Sequence, residues 1–374
     1  MNNMPREPGA PYGLPAVSAG GKASTRNPGP SGPRGFKIAA LAGGVGAARL
    51  LRGLVRVASA EDITVVINTG DDATVHGLHV CPDIDTVIYT LAGVSDPDRG
   101  WGLASETWNA LTSLERYGAD TWFRLGDRDL GTHLYRTERI AAGAPLSTIT
   151  REIASAWEIG ARLLPMTDDR VETRLTLFDD SEVSFQEYFV RMKNSVPVKA
   201  IEFAGATQAT PGPGVIDGLN AADVVIVCPS NPLLSVAPIL SIPGIRASLE
   251  RRRESVVAVS PIVGGRALRG PADHLMAELG HEPSAAGVAK IYASIASILV
   301  IDDQDAELAA EVAKAGMHCV VTGTIMDTLD ASEALASAVL ETVQSPTSIT
   351  AGPRGTPPGN RGPSVTADLP HGRR

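Results

Sequence analysis

The hydrophobic positions of this chain fall into short, almost wholly apolar runs, each followed by small polar residues and then by a helical period. The runs at 36–42 (FKIAALA), 63–67 (ITVVI), 223–227 (DVVIV), 256–260 (VVAVS), 298–301 (ILVI) and 318–321 (HCVV) have the length of strands buried on both faces. Between them the period is 3.6. In 46–58, Leu50, Leu51, Leu54 and Val55 share one face, while Arg49, Arg52 and Arg56 lie on the other. Further helices are predicted at 82–93, 103–117, within 137–160, and at 273–279, 284–293 and 331–343. The stretches 170–178 and 182–190 alternate apolar and polar residues across Asp179-Asp180-Ser181, the pattern of a β-hairpin. Strand, helix and strand in succession predict a parallel sheet with right-handed crossovers. The expected fold is therefore α/β, a Rossmann-like doubly wound and mostly parallel sheet. The hairpin and the helices before it, about 137–200, are expected as an inserted lobe over the sheet's ligand edge, with Leu163-Leu164-Pro165 leading into it.

Composition narrows the chain to one such domain. Residues 1–35 and 345–374 are rich in Pro, Gly and Ser and lack an apolar period, so disordered tails are expected there, with a single α/β domain over 36–344. The N-terminal stretch has no apolar h-region, and no run of ~20 apolar residues exists, so neither a secretory signal nor a membrane span is expected. Each tail holds four Arg/Lys and one acid, so the chain's net −9 leaves about −15 on the domain. That charge argues against nucleic acid as a partner. Cys81, Cys228 and Cys319 are far apart without zinc-motif spacing, which predicts reduced thiols in a cytoplasmic protein. A homodimer is the default assembly.

The candidate chemistry sits where the apolar runs end. After the first run, Gly43-Gly44-Val45-Gly46 opens a helix, and such a turn presents backbone N–H groups to a phosphate. The same glycines could simply let the helix pack close to the sheet. The second run ends in Asn68-Thr69-Gly70-Asp71-Asp72, and paired carboxylates at a strand's C-terminal end suit a hard cation, or a turn that caps the next segment. Pro82 fits a helix N1 position, with Asp83 and Asp85 in the first turn. There they complement the helix dipole or extend a carboxylate cluster from Asp71. His76 and His79, three apart in a glycine-containing loop, read as incidental. In Gly126-Asp127-Arg128-Asp129, Arg128 has the fork that grips phosphate or carboxylate, and the acids and His133 could move protons. In Cys228-Pro229-Ser230-Asn231-Pro232, Ser230 and Asn231, with Ser235 beyond, could hydrogen-bond a nucleotide. Gly264-Gly265 with Arg266 and Arg269 form a second plausible anion loop.

The segments AGGVGAARLL, INTGDD, HVCPDIDTVIY, WFRLGDRDLGTH, LLPMTDD, PSNPLLSVAPILSIPG and VSPIVGGRALRGPA occur in the order, and with the content, of the 2-phospho-L-lactate transferase family of coenzyme F-420 biosynthesis. The resemblance covers roughly residues 36–340 and is nearest to the actinobacterial phosphoenolpyruvate transferase branch. It implies a transferase that moves a phosphoenolpyruvyl or 2-phospho-L-lactyl group from a guanosine diphosphate-linked donor. The acceptor would be the terminal ribityl hydroxyl of the deazaflavin Fo, with GMP leaving. It further implies magnesium held by Asp71 and Asp72, and donor phosphates at Gly43, Gly44 and Gly46. Guanosine would lie at Ser230, Asn231 and Ser235. Asp83 or Asp85 would contact Fo and accept its proton, and Arg128 would contact Fo or the moving phosphoryl group. A related family of nucleotide-sugar-binding regulatory proteins shares the glycine loop and the NTGDD-like turn and is the alternative. A nicotinamide oxidoreductase is disfavoured by the missing third glycine and by the lack of a lone acid at the tip of the second strand, where a ribose would bind.

Overall fold

The first apolar run forms β1 (Ile38–Ala42), every residue of which is buried. Its side chains still divide by the period of two. Ile38, Ala40 and Ala42 join one hydrophobic cluster, and Ala39 and Leu41 join the cluster on the opposite face. A strand apolar throughout is what two covered faces require. The computed structural model describes residues 35–344, so the two stretches expected as disordered tails lie outside the described residues apart from Gly35.

Six further strands complete the central sheet: β2 (Ile63–Ile67), β3 (Arg162–Pro165), β4 (Val224–Val227), β5 (Val256–Val259), β6 (Ile298–Ile301) and β7 (His318–Val321). All six pairings are parallel, in the order β7-β6-β5-β4-β1-β2-β3. This is the doubly wound order, with its topological switch between β1 and β4. Helix α1 (Gly44–Val57) begins two residues earlier than the sequence suggests and buries Leu50, Leu51 and Leu54, each contributing about 1.5–3 kcal/mol. It lies so close to the C-terminal helix (Leu329–Gln344) that a Cβ on Gly53 would meet the Ser332 carbonyl at 2.1 Å. Helix α2 (Pro82–Leu91) follows a small hairpin of Ala73–Val75 and Leu78–Val80.

Three expectations are corrected. The helix expected at 103–117 is α3 (Asn109–Arg116) alone. Before it, Gly102 and Ser105 have positive φ, and Arg99 lies over the rings of Trp101 and Trp108. The backbone around Trp122 is irregular and lines a cavity. The residues around Leu163 do not merely lead into the hairpin, because they are β3, the sheet's outer strand, reached through α4 (Asp129–Ala141) and α5 (Leu146–Ala156). The hairpin itself is part of a separate three-stranded antiparallel sheet, in which Glu172–Leu177 lies between Glu182–Ser184 and Val198–Ala204. Its second arm ends early, in the single π-helical turn Glu187–Arg191. This small sheet leans on the C-terminal end of β2: the Thr173 amide donates to the Gly70 carbonyl at 2.7 Å, and Gln186 Nε2 donates to the Asp71 carbonyl at 2.9 Å.

Candidate active site

The loops after β1 and β4 meet at the switch point. A Cβ on Gly46 would lie 2.3 Å from the Pro229 carbonyl, and one on Gly43 would lie 2.7 Å from both Asp83 Oδ2 and Ser235 Cβ. Only glycine permits that approach. The loops form the floor of a cavity of about 890 Å³, whose walls include the aromatic side chains of Trp122, Phe123, Phe185 and Phe189 and the arginines Arg49, Arg124 and Arg269. Phe185 and Phe189 stack with centroids 5.3 Å apart. Phosphate-compatible backbone thus lies within reach of a wall that suits a flat aromatic body.

Two carboxylates face this floor. Asp83 takes the Gly44 amide on Oδ1 at 2.7 Å and the Asn68 side-chain amide on Oδ2 at 2.9 Å, while Asn68 Oδ1 accepts from the Gly70 amide at 2.8 Å. One asparagine therefore ties α2 to the turn after β2. Burial pushes the Asp83 carboxyl up to about 6 against those two hydrogen bonds. Asp71 is also buried, its Oδ1 lacks a hydrogen-bond partner, and burial followed by the charge of Asp83 pushes it well above the ordinary carboxylate range. Two buried acids with an unpartnered oxygen and no cation of their own fit a hard divalent ion. Asp72 does not join them on the cavity wall. Its Oδ2 accepts from Cys81 Sγ at 2.9 Å and lies 3.4 Å from His79 Nε2.

Asp85 reaches the cavity but is engaged from behind. Arg136 on α4, wholly buried, donates from both terminal nitrogens to the two oxygens of Asp85. The same guanidinium lies 3.3 Å from His133 Nδ1, and His133 Nε2 faces Asp129 Oδ2 at 3.3 Å. A guanidinium only donates, so His133 Nδ1 must accept and Nε2 carries the proton. Asp129 also takes the Tyr89 hydroxyl at 2.6 Å, and despite burial these contacts hold its carboxyl below the usual range. Asp129, His133 and Arg136 occupy i, i+4 and i+7 of one helix face, a spacing the sequence displays. Arg136 itself was not among the candidates because it reads as one more surface arginine.

The remaining candidates divide. Ser230 and Ser235 line the cavity, and the buried Ser230 hydroxyl has no partner. Asn231 lines it too, but its Oδ1 caps the turn Pro232–Val236 by accepting from the amides of Leu233 and Leu234. Arg128 lies outside the lining; its side chain is exposed and donates to the Ala104 carbonyl. Asp127 is spent on structure: Thr107 Oγ1 and the amides of Ala110 and Asn109 hydrogen-bond its carboxylate, bring it down to about 2, and anchor the start of α3. The second glycine loop is a tight hairpin turn with its first amide already engaged. Gly264 and Gly265 both have positive φ and turn a hairpin between Ile262–Val263 and Arg266–Ala267, and the Gly264 amide already donates to Asp305. From beyond that turn, Arg269 lines the cavity and donates to the Arg99 carbonyl at 3.0 Å.

Residues 38–344 match the family model described as 2-phospho-L-lactate transferase CofD. A phosphoenolpyruvate transferase of Streptomyces griseus is 45% identical over 82% of this chain and 98% of its own length. One from Streptomyces coelicolor is 46% identical over 82% and 97%, and one from Mycolicibacterium smegmatis 44% over 71% and 86%. In fold, the chain is similar to a UPF0052-family protein of Bacillus halodurans, with a TM-score of 0.53 at 16% identity over 83% of this chain and 100% of the other.

Proposed function

Because this chain belongs to the 2-phospho-L-lactate transferase CofD family and is a transferase of coenzyme F-420 biosynthesis, we propose that it transfers a phosphoenolpyruvyl group from a guanosine diphosphate-linked donor to the terminal ribityl hydroxyl of Fo. The name phosphoenolpyruvate transferase on relatives at 43–46% identity favours the enolpyruvyl donor over the lactyl one. The observation that carries the reading is one cavity in which the glycine floor, two buried carboxylates and an aromatic wall converge.

The donor's diphosphate lies over Gly43–Gly46, with guanosine toward Ser230 and Ser235, and the deazaflavin ring rests among Trp122, Phe123 and Phe185. The acceptor hydroxyl oxygen attacks the phosphorus bearing the enolpyruvyl group. The phosphorus–oxygen bond to the guanylyl half breaks, and GMP departs with the bridging oxygen. Asp83, with its carboxyl raised toward neutrality, receives the hydroxyl proton. Asp71 would hold magnesium, with Asp83 beside it, and the ion when bound would supply charge neutralisation for the diphosphate and the leaving GMP. Asp85, fixed by Arg136, orients the acceptor's hydroxyls. Catalysis of this type rests on positioning and electrostatics.

Mass spectrometry after incubation with Fo, magnesium and either the enolpyruvyl or the lactyl donor tests this. Dehydro coenzyme F-420-0 and GMP from the enolpyruvyl donor are expected. Turnover of the lactyl donor alone would reverse the donor assignment. Binding of a UDP-sugar without turnover of either donor would replace the transferase with the regulatory reading.

A further inference from the structure

Behind the cavity wall, Asp72, His79 and Cys81 bring three different ligand atoms together: a carboxylate oxygen, an imidazole nitrogen and a sulfur, all within 4.8 Å of one another. We propose that these three residues bind a borderline-soft divalent cation of the zinc class, at a site distinct from the hard-cation site of the cavity floor. Bond lengths of about 2.0–2.3 Å around a tetrahedral zinc separate neighbouring ligand atoms by roughly 3.3–3.5 Å. His79 Nε2 already lies 3.4 Å from Asp72 Oδ2, Cys81 Sγ lies 2.9 Å from the same oxygen, and the third separation is within 4.8 Å, so modest side-chain shifts would centre an ion.

A second observation supports a ligand there. The Asp72 side chain is 9% exposed, and its other oxygen, Oδ1, is buried without any partner. An orphaned carboxylate oxygen costs free energy that a cation would recover. The donor set decides the class of ion. Thiolate and imidazole favour zinc-like ions, whereas magnesium selects oxygen ligands and keeps its waters. Burial raises the Cys81 thiol, so the ion must displace its proton, and the nearby Arg136 guanidinium favours the thiolate. His79 is partly exposed, with its side chain 32% accessible, which provides an entry route and leaves a fourth position for solvent. The bound ion would fasten the Ala73–Val80 hairpin to the start of α2, the turn that carries Asp83 and Asp85.

Cobalt(II) is the probe. The full chain, stripped with chelator and kept reduced, is titrated with Co²⁺ and followed by absorbance. One equivalent is expected to produce a near-ultraviolet thiolate-to-cobalt charge-transfer band that zinc bleaches and excess magnesium leaves in place. Cys81→Ser should lose the band; Cys319→Ser and Asp71→Asn should keep it. His79→Ala, at a partly exposed position that tolerates truncation, should move the midpoint to higher Co²⁺. No band in the wild-type chain, or a band that survives Cys81→Ser, overturns the proposal. Should Cys81→Ser not fold, an unchanged midpoint in His79→Ala overturns it equally.

Discussion

Arg136 grips both carboxylate oxygens of Asp85 with both side chains removed from solvent. Breaking one half of such a pair leaves the other charge buried and uncompensated, at a cost of about 3–5 kcal/mol. Arg136→Met should therefore lower stability by that amount in urea denaturation. The double variant Arg136→Met/Asp85→Leu should recover much of it, because two apolar side chains replace the pair. Additive losses would mean that the two residues act independently.

The glycines of the first loop should respond in different ways. Gly46→Ala drives a Cβ into the Pro229 carbonyl at 2.3 Å, backbone against backbone at the switch point, and should cost several kcal/mol of stability. Gly43→Ala meets Asp83 Oδ2 and Ser235 Cβ, so it should leave a folded protein with turnover reduced at least about tenfold, as expected when groups at a reacting centre are displaced. At Gly44 a side chain meets open space but a φ of +72°, so Ala there should cost only about 1 kcal/mol. Denaturant midpoints together with kcat for the three variants would expose any other ranking.

Much of this was legible in the chain. Apolar runs ending in glycine and small polar residues located the strands and the edge at which ligands collect, because a doubly covered parallel sheet tolerates little else. Less legible was which acids face the cavity. Asp71 and Asp72 are adjacent, and a single turn sends one to the cavity floor and the other to Cys81 and His79. That division follows from Asn68, which binds both Gly70 and Asp83 and so sets the rotation of the turn. Arg128 and Arg136 were equally indistinguishable by composition. Only the packing of α4 buries one and exposes the other. Likewise Gly264-Gly265 resembles an anion loop until the carboxylate of Asp305 is found opposite its amide.

The ionisation of Asp83 sets a pH dependence whose sign is fixed. Its folded value, about 6, lies above the ordinary 3.8. The protonated form is therefore favoured in the fold, and its stabilising contribution is lost as pH rises from about 4 through 6. Relative to wild type, Asp83→Asn should gain thermal stability across that window. Its turnover should be lost at every pH. In the wild-type enzyme, kcat/KM should fall as pH drops through about 6 at low magnesium. Raising magnesium should move that limb to lower pH, since a cation beside Asp71 favours ionised Asp83. A limb insensitive to magnesium would separate the two carboxylates functionally.

Ser230 separates substrate binding from folding. Its hydroxyl is buried at the cavity wall and finds no partner within the protein. An unpaired buried hydroxyl destabilises the ligand-free fold, so Ser230→Ala should leave the melting temperature unchanged or higher. In the proposed arrangement the same change removes a hydrogen bond to the guanosine-linked donor. An uncharged bond of this kind contributes about 0.5–1.5 kcal/mol, so the donor KM should rise about two- to twelvefold, with the KM for Fo unchanged. Ser235→Ala supplies the contrast: Ser235 packs against Gly43 at the proposed phosphate floor, so its loss should lower kcat as well as raise the donor KM. If Ser230→Ala instead raised the KM for Fo and spared the donor, the two substrates would have to exchange ends of the cavity, with the deazaflavin over β4 and guanosine against the aromatic wall.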